Sequence, residues 1–133
     1  MIVKGFSLIE VVVVMALIAL TLTLAGPRIG AGLGRLELER TGQTIRNFIK
    51  IGRIQAERAD KEYYVVIDRK QASLKLLDPE MKVLRQDQLP SSVHVDFGSQ
   101  EDVAGLTILP SGIVRGTSIR LFGRAGDLAV QLQ

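Results

Sequence analysis

The chain has 133 residues, enough for one domain with a modest core, and 47% of it is hydrophobic. It has no cysteine and one histidine, which excludes disulfides, thiolate metal sites, a cysteine nucleophile and a histidine zinc cluster within one chain. The net charge of +3 is too small a surplus to mark a nucleic-acid binder and fits a solvated surface.

The apolar residues concentrate at the start. In the first 26 residues, Lys4 and Glu10 are the only charged side chains. The stretch Phe6 to Ala25, FSLIEVVVVMALIALTLTLA, would span about 30 Å as a helix at roughly 1.5 Å per residue, the thickness of a bilayer core. A secretory signal peptide has a shorter apolar region, no acid in it and an A-x-A-like cleavage site. Here Glu10 interrupts the run early, and Leu24-Ala25-Gly26-Pro27 lacks such a site, so the segment reads as a retained anchor.

Glu10 is the informative residue. An acid at the centre of a membrane helix costs about 2.5–3.5 kcal/mol on insertion scales, and less near an interface. Lodging near the headgroups, or protonation, would relieve that cost; so would a cationic partner.

The residues around it, Lys4-Gly5-Phe6-Ser7-Leu8-Ile9-Glu10, resemble the processing motif of type IV prepilins. In that family a prepilin peptidase cuts after the glycine and methylates the new N-terminal residue. The resemblance implies a leader of residues 1–5 carrying the basic Lys4, a cut between Gly5 and Phe6, N-methylation of Phe6, and an assembly role for Glu10. Cleavage would expose an α-amino group on Phe6, whose ordinary pKa of about 7.7–8.0 makes it largely cationic near neutrality. Glu10 could then meet its own chain end one helical turn away, or that of a staggered neighbour, and set filament register. The charge flanking the anchor is ambiguous, because Lys4 on one side opposes Arg28, Arg35 and Arg40 on the other. The expected orientation, single-pass in a bacterial inner membrane with the C-terminal domain in the periplasm, follows from the resemblance.

After the anchor (residues 6–26), Gly26-Pro27 predicts a kink, break or hinge, loosened further by Gly30, Gly32 and Gly34. Residues 27–60 read as a linker and an amphipathic helix from about Leu36 to Asp60. Its apolar stripe is Leu38, Thr41, Ile45, Phe48, Gly52, Gln55/Ala56 and Ala59, widened by Ile49. Gly52 and Ala56 would admit close approach by another element.

From Tyr63 the period becomes two, and residues 61–133 read as an antiparallel β domain. The expected strands are Tyr63–Asp68, Ala72–Leu77, Lys82–Gln88, Val93–Phe97, Leu106–Leu109, Ser118–Phe122 and Leu128–Leu132, in one or two small sheets against the helix. The fold class is therefore α+β, which suits the pilin plan. Ile108-Leu109-Pro110-Ser111-Gly112, followed by Thr117-Ser118-Ile119-Arg120-Leu121 and Gly123-Arg124, resembles the GspH/FimT branch of pseudopilins and minor pilins.

Nothing in the spacing supports catalysis. His94 lies in an alternating strand beside Asp96, the glycine-rich Gly30–Gly34 run follows no strand, and no Asp-rich loop forms a calcium ligand set. No cofactor, metal or enzymatic activity is expected. Some FimT-like minor pilins bind DNA through a Gly-Arg-x-Arg motif, and here Gly123-Arg124-Ala125-Gly126 has only the first arginine. Arg115, Arg120 and Arg124 could still contact a few phosphates weakly or meet a protein partner, although a solvated strand surface explains them as well.

The resemblance implies an H-type minor pseudopilin of a type II secretion system. It would assemble with other pseudopilins on an inner-membrane platform driven by a cytoplasmic ATPase. A minor pilin of a type IV pilus (adhesion, motility or DNA uptake) and a single-pass anchored periplasmic enzyme are the alternatives.

Overall fold

The structure is a computed structural model that describes residues 5–132, with residues 26–29 and 31 described by backbone alone. Lys4 and the rest of the expected leader before Gly5 lie outside the described residues. The chain divides into two units, Met1–Leu33 and Gly34–Gln133.

One helix, α1, runs Leu8–Ala59, where the sequence pattern suggested two helical stretches separated by a break. Glycine is about 1 kcal/mol worse than alanine in a helix but still adopts helical torsions, and one proline removes a single intrahelical bond. These local costs do not interrupt the backbone helix. The hinge expected at Gly26 and Pro27 falls among residues described by backbone alone.

In the first unit, Leu8–Ala25 is a helical window long and apolar enough to cross a membrane, and none of it is buried. Its two hydroxyl residues find partners within the helix. Thr21 Oγ1 donates to the Leu17 carbonyl at 2.6 Å, and Thr23 Oγ1 to the Ala19 carbonyl at 2.9 Å. Such back-bonding satisfies polar groups that have no water in hydrocarbon.

In the second unit, α1 ends where Asp60 turns left-handed at φ 52°, and the Lys61 amide caps the Ala56 carbonyl at 3.3 Å. Eight antiparallel strands follow: β1 Tyr63–Asp68, β2 Ser73–Leu77, β3 Val83–Gln88, β4 His94–Asp96, β5 Val103–Ile108, β6 Val114–Gly116, β7 Ile119–Gly123 and β8 Gly126–Val130. They form a five-stranded sheet ordered β3-β2-β1-β5-β6 and a three-stranded sheet ordered β4-β7-β8. β1 buries alternate residues, and its register sets Val65 opposite Leu76 on one side and Leu106 on the other.

Residues from both sheets and the helix make one core. Ile45, Phe48, Ile49 and Ala56 of α1 pack with Val65, Ile67, Leu74, Leu76, Leu106 and Ile108 of the larger sheet. Val95, Ile119, Leu121 and Val130 of the smaller sheet join them. Each large apolar side chain buried here contributes about 1.5–3 kcal/mol. Two helical glycines set the distances. A Cβ on Gly42 would lie 2.8 Å from Leu128 Cδ2, while one on Gly52 would collide with Ile108 and meet Leu76 Cδ1 at 3.2 Å. The helix therefore offers bare backbone to the small sheet at Gly42 and to the large sheet at Gly52. Thr41, also buried, donates its hydroxyl to the Glu37 carbonyl at 2.8 Å. Ala59, expected in the buried stripe, is exposed in the last turn of α1, where it borders an open cleft lined by Tyr63, Leu76 and Leu84.

β3 is an edge strand exposed along its whole length. Its register places Arg85 opposite Leu76 and Asp87 opposite Leu74, so two charges sit on the side that faces the core. Charges so placed discourage pairing with a foreign strand. Arg85 also closes the core margin, its guanidinium 5.4 Å from the Phe48 ring centre. At the β1–β2 end, Lys70 Nζ meets Asp102 Oδ2 at 2.7 Å. That hydrogen bond, ahead of the lysine's charge, holds the Asp102 carboxyl below the usual carboxylate range and raises Lys70.

Candidate functional site

The N-terminal site is built around the point where α1 begins. Gly5, Phe6 and Ser7 are non-helical and exposed, and the helix starts at Leu8. Ser7 ends the irregular segment by acting as the helix cap. Its carbonyl accepts the Glu10 amide at 3.0 Å and the Val11 amide at 3.3 Å, and its Oγ lies 3.4 Å from the Glu10 amide. Ser7-Leu8-Ile9-Glu10 is thus a Ser-x-x-Glu capping sequence, a signal legible in the residues that the motif reading passed over.

Glu10 stands in the first turn of α1, where the positive end of the helix dipole favours a carboxylate. Among the described residues the ion pairs are Arg35–Glu39 and Lys70–Asp102, and Glu10 has no cationic partner among them. Phe6 is 81% exposed. A Cβ added at Gly5 would touch nothing within 4 Å, so this fold makes no demand for glycine there. Hydrolysis between Gly5 and Phe6 would leave an ammonium group on Phe6 at the mouth of the helix, one turn before Glu10.

The arginines that lie close in sequence are divided by the fold. Arg115 is on β6 of the larger sheet, opposite Thr107. Arg120 and Arg124 belong to the smaller sheet, Arg120 opposite Asp96 on β4 and Arg124 at the turn after β7. All three are exposed. His94 is exposed on β4, and with Ser91, Ser92, Phe122, Gly123 and Arg124 it lines an open cleft of about 480 Å³. Ser92 donates its hydroxyl to Glu37 beside that cleft.

With the start of α1 and the domain in view, two comparisons bear on identity. The prokaryotic N-terminal methylation motif matches residues 1–26. Among solved structures, the chain is similar to the minor pseudopilin EpsH from the type 2 secretion system of Vibrio cholerae. The TM-score is 0.52 and the identity 19%, covering 66% of this chain and 79% of that one. The chain carries that methylation motif and has a pilin-like α+β fold. Among curated proteins, none matches the sequence.

Proposed function

We propose that this pilin-like chain is an H-type minor pseudopilin of a type II secretion system. The observation that carries the reading is one chain combining the methylation motif with an α+β domain similar to that of EpsH. In this reading the anchor crosses the bacterial inner membrane once and the domain of residues 34–133 lies in the periplasm. The trimmed subunit joins other pseudopilins on the inner-membrane platform and catalyses no reaction itself. The filament it enters acts in moving folded proteins through the outer membrane. Glu10 is its assembly residue, and the exposed surface bearing Arg120 and Arg124 is available to a partner.

Deletion of the gene in its native host tests the assignment. The expected result is retention of exported proteins in the periplasm with surface pili intact. Normal export together with lost pili, twitching or DNA uptake would move the chain to a type IV pilus. Loss of an enzymatic activity with both systems intact would favour the anchored enzyme.

A further inference from the structure

The way α1 begins bears on how the precursor is cut. Hydrolysis of the Gly5–Phe6 bond adds water to the Gly5 carbonyl carbon, breaks the C–N bond and leaves a Gly5 carboxylate and a Phe6 ammonium. The attacked carbonyl must be accessible and its backbone extended. In this structure the first carbonyl to accept intrahelical bonds is that of Ser7, two residues after the scissile carbonyl. Gly5 and Phe6 remain outside the helix and exposed.

We propose that Ser7 is a positioning residue for processing: by capping α1 it fixes the helix start beyond the Gly5–Phe6 bond and keeps that bond available to the peptidase. The inference rests on the prepilin reading of the N-terminus. Its physical basis is the competition among caps. Asparagine, aspartate and serine are the best N-cap residues, threonine and glycine follow, and alanine and the large apolar residues are poor. Downstream of Ser7 the chain offers Leu8 and Ile9, which cannot cap. Upstream, the next competent residue is Gly5 itself. Without a cap at position 7, the helix start is handed back to Gly5. Its carbonyl would then accept the first intrahelical bond, and Phe6 would enter the first turn. The scissile carbonyl would become part of the helix.

The test is the initial rate of cleavage of full-length precursor in membranes by a co-expressed prepilin peptidase, for wild type and the Ser7→Ala, Ser7→Gly, Ser7→Thr and Ser7→Asn variants. Capping strength predicts that serine and asparagine are cut fastest, threonine and glycine slightly slower, and alanine roughly fivefold slower than serine. Ser7→Gly is the decisive variant, because it removes the hydroxyl while keeping a competent cap. If Ser7→Ala were cut as fast as wild type, the positioning role would be wrong. It would also be wrong if Ser7→Gly were as slow as Ser7→Ala while the threonine and asparagine variants matched wild type, since the peptidase would then be reading the side chain directly. An uncut wild type would instead remove the prepilin reading itself.

Discussion

Replacing Gly52 by leucine is expected to lower the stability of the domain by about 3 kcal/mol, a shift in its thermal midpoint of roughly 15 °C. Even the first carbon of a new side chain would collide with Ile108 and press on Leu76, both within the packed interior. The larger sheet would have to lift from the helix to admit the rest, breaking contacts of Phe48 and Ala56 with it. Gly52→Ala should be far milder, because the better helix propensity of alanine, about 1 kcal/mol, offsets part of the crowding. Gly105→Ala is the control. Position 105 has open space at the same test, and a surface change of that kind stays within about 0.5 kcal/mol. Thermal unfolding of the full chain in detergent, followed by the circular dichroism of its β-structure, measures all three. A Gly52→Leu protein that melted with wild type would mean that the helix and the larger sheet do not pack as described.

Glu10→Ala is expected to act in opposite directions on the free subunit and on the filament. Removing a carboxylate from the membrane segment takes away an insertion cost of up to about 2.5–3.5 kcal/mol, so the variant should be retained in the membrane at least as well as wild type. Cleavage should continue, because Gly5, Phe6 and the Ser7 cap are untouched. Incorporation alongside a major pilin subunit should fall at least about tenfold, since a buried ammonium on a Phe6 chain end would lose its counter-charge. Cross-linking of the trimmed variant to filament subunits measures this. Normal incorporation would remove Glu10 from the assembly mechanism.

Much of this architecture is visible in the residues because the physical signals there are local. The apolar run from Phe6 to Ala25 predicts a helix of membrane-spanning length, and Leu8–Ala25 is such a helix. The buried positions Leu38, Thr41, Ile45, Phe48, Ile49, Gly52 and Ala56 are the expected helical stripe, and β1 occupies Tyr63–Asp68 as its alternation predicts. What escaped the sequence depends on tertiary context. β6 is three residues ending in a glycine, too short to show a period, and it exists because β5 offers it an edge. Gly42 carries no hydrophobic signal, yet it is where the small sheet meets the helix. The pairing of β1 with β5 joins segments far apart in the chain, and no local pattern specifies it. At the N-terminal site, Gly5, Phe6 and Glu10 stand out through their motif, whereas the capping role of Ser7 emerged only from its hydrogen bonds. Arg115, Arg120 and Arg124 illustrate the converse: neighbours in sequence, they are set on two different sheets.

The proposed assembly role of Glu10 requires a proteolytic cut that exposes a positive charge at Phe6. Intact mass of the membrane-extracted protein, from cells with and without a prepilin peptidase, tests that cut directly. With the peptidase present, the chain should lose Met1–Gly5 and gain one methyl group; without it, the full sequence should remain. Protein that still began at Met1 when the peptidase was active would contradict the account, because no cationic chain end would then lie beside Glu10.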